Sequence, residues 1–264
     1  MRFTKMQGLG NDYVYVNCFE ESVETPELMA RRLSDRHFGV GADGLILIRP
    51  SNVADCRMEM YNADGSRGAM CGNGIRCVAK YVYEAGLVNR ERMVVETDSG
   101  LKSVYCRVQD GKVRLVEVDM GIPKVAERES WLWEGETLFF TPVDMGNPHA
   151  VLFCQEVDSM DISCLGPAVE NHPYYPDRAN AEFVQVINSG NLNLRVWERG
   201  TGETLACGTG ACAAFAAARI MGLVEKNASV KLPGGILEIA WQGIGEPLTM
   251  TGPAEEVFCG EITL

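Results

Sequence analysis

The chain has 264 residues, of which 46% are hydrophobic and 23% charged, as in a globular protein with a sizeable core. Its formal net charge of −12 argues against nucleic acid or an anionic membrane as partner, because phosphate binding needs a basic surface. Residues 1–16 lack the apolar segment of an export signal, so we expect a cytoplasmic protein whose ten cysteines are mostly reduced.

The first half of the sequence alternates strand patterns with helix patterns. The turn "GLGN" joins two strand-like segments in a hairpin over residues 2–17. The segment "TPELMARRLSDR" predicts a helix that Thr25 caps, with Pro26 at its first position. Further elements are predicted as strands at 45–50 and 56–62, a helix near 74–85, and a strand meander over 92–120.

The second half repeats this scheme around another helix. Strand patterns are predicted at 137–145, 149–154, 181–187, 193–199, 229–235, 236–242 and 248–253, with a nearly all-apolar helix at 209–221. A helix that is apolar on every side must be enclosed, and a curved sheet wrapped around it does so. We therefore predict an α/β (α+β) fold of two pseudo-symmetric domains, each a curved strand barrel around a central apolar helix.

The boundary between the two domains is predicted from a change in composition. Near residues 117–125 the sequence becomes polar and carries Gly and Pro. This division places Cys71 in an N-terminal domain of residues 1–117 and Cys207 in a C-terminal domain of residues 118–254. The final strand, about 255–264, is expected to pair back with the first domain.

The sequence offers no convincing motif for a bound cofactor or metal. Residues 39–44, "GVGADG", match the dinucleotide fingerprint, but a helix precedes them and a strand follows, which reverses the required order. The close cysteine pairs, Cys71/Cys77 and Cys207/Cys212, do not have zinc-site spacing. Lys80 lies well inside a predicted helix, where a solvated role fits better than a Schiff base to pyridoxal phosphate. We expect no cofactor and no metal.

A cysteine precedes a Gly-x-Gly step twice, in "AMCGNGIRC" (69–77) and in "ACGTGAC" (206–212). Each copy stands at the entrance to an apolar helix, where backbone N–H groups and the helix dipole favour a thiolate. Glycines let a ligand approach the backbone closely, and the same N–H groups can hold a carboxylate. Each motif therefore predicts a basic sulfur beside a carboxylate site.

Two such motifs facing each other across a domain cleft would suit the inversion of a carbon stereocentre. A planar carbanion needs a base on one face and an acid on the other, because a single base tends to return the proton to the face it left. Reactive geometry would put Cys71 and Cys207 each about 3–3.5 Å from the carbon, with sulfurs roughly 7 Å apart. The pair predicts acid–base catalysis at an α-carbon.

Five blocks in order carry a resemblance to a known family: "GLGNDYVYV", "NADGSRGAMCGNGIRC", "MGNPHAV", "RANAEFVQV" and "WERGTGETLACGTGACAA". Over its full length the sequence resembles the diaminopimelate epimerase family of the two-cysteine racemases and epimerases. The resemblance implies two pseudo-symmetric domains in a homodimer, without pyridoxal phosphate or metal. It implies interconversion of LL- and meso-2,6-diaminopimelate for lysine and peptidoglycan precursor synthesis.

The same resemblance implies a role for each matching residue. Cys71 and Cys207 resemble the paired acid and base, and His149 and Glu198 resemble residues that tune or relay protons. The implied substrate contacts are Gly72, Asn73, Gly208 and Thr209 at the reacting carboxylate, Asn11 at the reacting end, Arg199 with Asn62, Asn147 and Asn180 at the distal carboxylate, and Glu198 at an amino group. Relatives often carry glutamine where this sequence has Gly44.

Three other functions stay open at this point. The first is a racemase for a different, single-ended amino acid on the same scaffold. The second is a phenazine-pathway type of isomerase, which uses a carboxylate in place of the thiols and is disfavoured by the two cysteines. The third is a non-catalytic protein that uses the thiol pair for redox sensing or ligand binding.

Overall fold

The structure, a computed structural model, describes residues 1–263; Leu264, the end of the predicted final strand, lies outside the described residues. The chain divides into two compact units: unit 1 is Met1–Val118 with the C-terminal segment from Thr251, and unit 2 is Asp119–Met250. Both contain mostly strands with few helices, which confirms the predicted fold class. Among the described residues, no helix has both the length and the apolar character needed to cross a membrane.

Unit 1 begins with a two-residue hairpin turn, in which Leu9 and Gly10 both have positive φ, as a type I′ turn requires. Its elements are β1 (Arg2–Gly8), β2 (Asn11–Asn17), α1 (Pro26–Ser34), β3 (Gly44–Arg49), β4 (Cys56–Asn62), β5 (Arg67–Gly68), α2 (Gly72–Glu84), β6 (Arg92–Thr97), β7 (Gly100–Gln109) and the start of β8 (Lys112–Gly121). Strands β2 and β3 pair in parallel, as do β4 and β6, whereas β1–β2, β3–β4, β6–β7 and β7–β8 are antiparallel.

Unit 2 follows the same plan. Its elements are β9 (Lys124–Val125), β10 (Glu129–Trp133), β11 (Glu136–Asp144), β12 (Pro148–Cys154), α3 (Ile162–Glu170), β13 (Asn180–Asn188), β14 (Asn191–Glu198), β15 (Gly202–Thr204), α4 (Gly208–Ile220), β16 (Asn227–Leu232) and β17 (Gly235–Trp241). After β18 (Leu248–Gly252), strand β19 (Glu255–Glu261) pairs antiparallel with β1 of unit 1. The parallel pairs of unit 2 are β12–β13 and β14–β16.

The two units are therefore topological copies of each other. In each, one helix (α1 or α3) connects the first parallel pair and another (α2 or α4) connects the second. Each of the second helices begins directly after a cysteine and packs against several strands of its own unit. The duplication gives both cysteines the same place in the fold.

The two central helices differ in how apolar they are. Helix α4 is buried along nearly its whole length, and its alanines let the surrounding strands pack close to its backbone. Helix α2 departs from the predicted all-apolar pattern, because it buries Arg76 completely. That guanidinium donates to the carbonyl oxygens of Gly72 and Pro253 at 3.0 Å and to Asn73 Oδ1 at 2.9 Å. Backbone and amide oxygens thus compensate the buried charge.

One local expectation from the sequence is wrong, and one helix was not predicted. Helix α1 does start at Pro26, but the side chain of Thr25 makes no capping hydrogen bond. Helix α3 is absent from the sequence-based prediction, because its Gly166 and Pro167 are strong helix breakers. The fold needs that glycine: a Cβ at Gly166 would lie 2.5 Å from the ring of Trp197. Tertiary packing overrides the local preference.

Candidate active site

Cys71 is the N-cap residue of α2. Its backbone is extended (φ −130°, ψ 121°), and its Sγ accepts a hydrogen bond from the N–H of Gly74 at 3.3 Å. The half-buried thiol lies 3.3 Å from Asn11 Oδ1, to which it donates. The sulfur therefore replaces the oxygen of an ordinary Ser or Asp cap.

Cys207 caps α4 in the same way. Its backbone angles are φ −121° and ψ 114°, and its Sγ accepts from the N–H of Gly210 at 3.4 Å. The Thr209 hydroxyl lies 3.5 Å from the same sulfur. Cys207 is buried, with 6% of its surface exposed. Each of the two units thus presents a reduced cysteine thiol, and the local geometry is the same in both.

The second glycine of each motif is required by close packing. A Cβ at Gly74 would lie 2.7 Å from Ile46 Cδ1, and a Cβ at Gly210 would lie 2.8 Å from Glu182 Oε1. Real Cβ atoms almost never approach other atoms so closely, so a side chain at either position would force the buried Ile46 or Glu182 side chain, or the helix start, to shift. The Cys-Gly-x-Gly spacing is therefore a consequence of how each capped helix sits on its sheet.

In unit 1, Asn11 links the Cys71 thiol to a charged cluster. Its side-chain amide donates to Asp43 Oδ2 at 2.9 Å, while Arg36 pairs with Asp43 at 3.0 Å and with Asp12 at 2.9 Å. Burial raises the pKa of Asp43, and the hydrogen bond from the Asp12 backbone N–H partly offsets it. The sequence-predicted contact between Asn11 and the reacting end is consistent with this placement.

Asn62 and Gly44 lie opposite each other in the antiparallel pair β3–β4 of unit 1. Asn62 ends β4, and its amide donates to Ser66 Oγ at 3.0 Å within the following turn. Gly44 pairs with Asn62 in the sheet, and a Cβ there would lie 2.2 Å from the carbonyl oxygen of Tyr61. The backbone at Gly44 in this chain therefore has no room for the glutamine side chain that relatives often carry there.

In unit 2, polar side chains from β12 and β13 form a buried cluster beside the start of α4. His149 and Glu182 have no exposed side-chain surface, and His149 Nδ1 lies 2.7 Å from Glu182 Oε1. His149 Nε2 lies 3.0 Å from Asn147 Oδ1, and Asn180 Nδ2 lies 3.5 Å from His149 Nδ1. Asn147 also donates to the Thr209 hydroxyl at 3.5 Å. The cluster connects His149 to the residue that contacts the Cys207 sulfur.

Glu182 is the member of this cluster that sequence reasoning missed. It stands in the quoted block "RANAEFVQV", where it is the one acidic residue among apolar neighbours. Burial raises its pKa, an effect that the neighbouring His149 only partly offsets. A charged residue in a strand that is otherwise buried was the available signal.

Glu198 and Arg199 are consecutive residues at the end of β14, but their side chains contact different parts of unit 2. Glu198 Oε1 accepts from the Thr204 hydroxyl at 2.5 Å. Burial raises the pKa of Glu198, against hydrogen bonds from Thr204 and Cys207 that lower it. The exposed Arg199 donates through Nη1 to the Asp177 carbonyl at 2.8 Å, and its backbone N–H donates to Asn180 Oδ1 at 2.8 Å. Glu198 thus faces the thiol, and Arg199 faces outward beside Asn180.

The protonation state of Cys207 differs from the sequence-based expectation. Burial raises the pKa of this thiol well above its usual value, and the nearby Glu198 and Glu182 carboxyls raise it further. Hydrogen bonds from Thr209 and from the Gly210 N–H lower it by less. The helix start therefore does not make Cys207 a thiolate in this structure, because burial is the larger effect.

Lys80, the one lysine near a cysteine motif, is occupied by other contacts. Its Nζ lies 2.7 Å from Glu84 Oε1 and 2.9 Å from the Val113 carbonyl oxygen. The ammonium is thus held on the half-buried outer part of α2 rather than projecting into a ligand site.

The strand registers show that the predicted site residues come in equivalent pairs. Pairing of the parallel strands β2 and β3 begins with Tyr13 opposite Gly44, and pairing of β12 and β13 begins with His149 opposite Asn180. Asn11 and Asn147 each lie two residues before the start of this pairing. Both asparagines contact the capped start of the central helix, Asn11 through Cys71 and Asn147 through Thr209.

Solved structures with this fold define its class. A probable proline racemase from Agrobacterium radiobacter matches with a TM-score of 0.77 and 16% identity, covering 100% of this chain and 93% of that chain. A phenazine biosynthesis protein of the PhzF family from Bacillus anthracis matches with a TM-score of 0.80 and 16% identity, covering 100% and 99%. The chain is thus a two-domain α/β protein of this fold, with a cysteine-capped helix in each half.

Sequence relatives narrow the class to one family. Diaminopimelate epimerases from Acetivibrio thermocellus and Desulfovibrio desulfuricans are 52% and 48% identical, covering 100% and 99% of this chain and 99% and 98% of the relatives. The diaminopimelate epimerase family model matches residues 3–126 and 141–257. The chain belongs to the diaminopimelate epimerase family, a family of isomerases, which confirms the resemblance seen in the sequence.

Proposed function

We propose that the protein interconverts LL-2,6-diaminopimelate and meso-2,6-diaminopimelate, using Cys71 and Cys207 as the acid–base pair. The observation that carries this proposal is the duplicated helix cap, in which each sulfur accepts the N–H of the second motif glycine. Membership of the diaminopimelate epimerase family supports the choice of substrate. Such a step serves lysine and peptidoglycan precursor synthesis.

The two thiols have complementary roles in this mechanism. One sulfur removes the α-proton as a thiolate, and the other delivers a proton to the opposite face of the carbanion. Because burial and neighbouring carboxyls favour the protonated form of Cys207, this structure fits the state in which Cys207 is the acid. Cys71, whose half-buried thiol lies beside Asn11, is then the base. The roles reverse with the hand of the substrate.

The negative charge of the carbanion spreads onto the carboxylate of the reacting centre, which needs hydrogen-bond donors. The first backbone N–H groups of α2 and α4 belong to Gly72, Asn73, Gly208 and Thr209. Helix starts bind anions, and donors fixed in advance stabilise charge as it develops. We assign these groups to the reacting carboxylate, with Asn11 beside them.

The second amino-acid end of the substrate requires an anion site and a cation site. The guanidinium of Arg199 can bind a carboxylate through two parallel hydrogen bonds. We assign Asn180, Asn147 and Asn62 as amide partners at this end and Glu198 as the partner of an amino group. His149 and Glu198 also tune the Cys207 thiol. The homodimer and the cytoplasmic location stay predictions.

The decisive experiment follows α-hydrogen exchange and inversion together. In deuterated water, LL-diaminopimelate should gain deuterium at one α-carbon and yield the meso isomer without added cofactor. Proline, glutamate and alanine are tested in parallel. Exchange into one of these, with none into diaminopimelate, would establish a different racemase. No exchange into any of them, with thiols that still oxidise, would favour the redox or ligand-binding alternative.

Single cysteine variants test the two-thiol mechanism. Cys71→Ser and Cys207→Ser should each lower the rate of inversion by about 100- to 10,000-fold, the usual contribution of a positioned acid or base. Cys164→Ser, at an exposed cysteine outside the motifs, is the matched control and should keep the wild-type rate. A Cys207→Ser enzyme that still inverts diaminopimelate at the wild-type rate would exclude the mechanism.

A further inference from the structure

Glu182 is a buried carboxyl for which the proposed reaction has no assigned use. One oxygen, Oε1, contacts His149 Nδ1 at 2.7 Å, and the other, Oε2, has no hydrogen-bond partner among the described residues. A buried carboxylate with an unpartnered oxygen is costly. Glu182 lies against the start of α4, where its Oε1 would lie 2.8 Å from a Cβ at Gly210.

The duplication shows that the fold itself does not require a carboxyl there. Glu182 pairs with Val151, two residues beyond the start of the parallel pairing, and Ile46 pairs with Tyr15 at the equivalent point of unit 1. Both side chains lie against the second motif glycine, Ile46 against Gly74 and Glu182 against Gly210. An apolar side chain fills the site in unit 1, so the carboxyl in unit 2 calls for another explanation.

The hydrogen bonds of Asn180 indicate which atoms carry protons. Its Oδ1 accepts from the Arg199 backbone N–H at 2.8 Å, which turns its NH₂ group toward His149 Nδ1 at 3.5 Å. A donor facing Nδ1 favours the imidazole form in which Nδ1 is an acceptor and Nε2 carries the hydrogen. The 2.7 Å contact between Nδ1 and Glu182 then needs its hydrogen from the carboxyl.

The other ionisable groups around Glu182 also favour its neutral form. Glu198 on β14 and Cys207 on α4 both interact with it as acidic neighbours, and Tyr175 donates its hydroxyl to the His149 carbonyl at 3.1 Å. No Lys or Arg forms an ion pair with Glu182 among the described residues. Burial raises the pKa of Glu182, in agreement with this arrangement.

We propose that Glu182 keeps its proton in the folded protein and acts as a positioning residue, fixing His149 so that a series of hydrogen-bond donors ends on the Cys207 sulfur. The series is Glu182 O–H to His149 Nδ1 (2.7 Å), His149 Nε2–H to Asn147 Oδ1 (3.0 Å), Asn147 Nδ2–H to Thr209 Oγ1 (3.5 Å), and Thr209 Oγ1–H to Cys207 Sγ (3.5 Å). Every donor points toward the sulfur.

This donor series has a consequence for the proposed epimerisation, on which the functional part of the inference rests. Cys207 must become a thiolate when the reaction runs in the direction that uses it as the base. Burial and Glu198 oppose that ionisation, and an ionised Glu182 would oppose it too. A neutral Glu182 adds no charge and directs the Thr209 hydroxyl to the sulfur.

The first test observes His149 directly in the substrate-free protein. The chain has only three histidines, so ¹⁵N-histidine NMR spectra can be assigned with the variants His37→Gln and His172→Gln. We expect the ring of His149 to carry hydrogen on Nε2 and none on Nδ1. A doubly protonated ring, or hydrogen on Nδ1 alone, would overturn the proposal.

The second test measures Cys207 reactivity, again without substrate. Iodoacetamide alkylation is followed as a function of pH by peptide mass spectrometry, with Cys71 as the internal reference. Glu182→Gln keeps a neutral donor and should leave the Cys207 profile and the His149 ring form unchanged. Glu182→Ile, which copies the residue of unit 1, should slow Cys207 alkylation at pH 8 by about threefold or more and leave Cys71 unaffected.

The outcomes separate this inference from its rivals. If Glu182 were ionised, the Glu182→Gln variant would show faster alkylation of Cys207 than the wild type. If Glu182 were purely structural, Cys207 in the Glu182→Ile variant would be alkylated at the wild-type rate. Either result refutes the proposal. Glu170→Gln, at a buried carboxyl that contacts Trp197, Arg178 and Gly200 instead, is the matched control. Because neither readout uses diaminopimelate, a failure of the proposed epimerase activity would be recognised separately.

Discussion

At the scale of single residues, chemistry follows local surroundings rather than residue type. Cys71 and Cys207 could be predicted as helix caps because the Cys-Gly-x-Gly step is visible in the sequence. The raised pKa of Cys207 could not, because it depends on burial and on Glu198 and Glu182, which come from other strands. Glu182 was missed for the same reason: its partner His149 is adjacent only through the parallel pairing of β12 and β13.

Arg199 provides the residue-scale test of substrate choice. If its guanidinium binds the distal carboxylate, Arg199→Ala should raise KM for diaminopimelate and lower kcat/KM by about 10- to 150-fold, since hydrogen bonds between charged groups contribute about 1.5–3 kcal/mol. The side chain is exposed, so the stability should change little. Steady-state kinetics on the purified variant measure the effect.

Arg107→Ala is the control for that experiment. Arg107 is an exposed arginine of unit 1 that pairs with Glu117 at 2.8 Å, and its loss should leave KM unchanged. An Arg199→Ala enzyme with the wild-type KM would show that the distal carboxylate is bound elsewhere, or that the natural substrate has a single carboxylate end.

At the scale of elements, the caps and the packing beneath them explain most of what could be read from the sequence. Helices α2 and α4 begin where the glycine motifs predicted, within a few residues. Helix α3 was not predicted, because Gly166 and Pro167 oppose a helix locally, although Asp161 caps it and Gly166 packs on Trp197. Patterns near in sequence were visible, whereas contacts distant in sequence were not.

The second motif glycines give the element-scale prediction. Alanine normally stabilises a helix by about 1 kcal/mol relative to glycine. Here Gly210→Ala and Gly74→Ala should instead destabilise the protein by about 1–3 kcal/mol, because the new Cβ would lie 2.8 Å from Glu182 Oε1 and 2.7 Å from Ile46 Cδ1. Urea denaturation measures the free energy of unfolding.

Gly190→Ala serves as the matched control for these glycines. The nearest atom to its added Cβ is Asn188 Oδ1 at 3.6 Å, an ordinary contact, so the stability should change by less than about 0.5 kcal/mol. If Gly210→Ala were as stable as wild type, the helix start would be free to move, and close packing would not explain the motif.

At the scale of the whole molecule, duplication and burial together decide which thiols can react. Every one of the ten cysteines is a reduced thiol, yet two stand at equivalent helix caps, one in each unit. Burial raises the pKa of Cys56 and Cys106 to about 12 and that of Cys77 to about 11. These three cysteines are therefore inert packing residues at neutral pH. The two-copy plan was visible in the sequence because both motifs repeat in order.

The buried thiols predict how stability changes in alkali. A thiol whose pKa is higher in the folded than in the unfolded protein holds its proton more tightly when folded, so its stabilisation is complete below its unfolded pKa, 9.0. As the pH rises above that value, unfolded thiols ionise while Cys56, Cys106 and Cys77 do not, and the free energy of unfolding must fall. The decline should continue toward about 11 for Cys77 and about 12 for Cys56 and Cys106.

Urea denaturation between about pH 8 and about pH 11 measures this decline, and a double variant isolates its cause. Each unit of pKa difference corresponds to about 1.4 kcal/mol, so removing two strongly shifted thiols should make the pH dependence visibly shallower. Cys56→Ala/Cys106→Ala will lose stability at neutral pH because it leaves cavities, but it should lose less on going from pH 8 to pH 11 than the wild type does. Cys164→Ala/Cys259→Ala, at two exposed cysteines, should follow the wild-type curve. Parallel curves for all three proteins would mean that the buried thiols do not hold their protons, and alkaline unfolding would then have to arise from other groups.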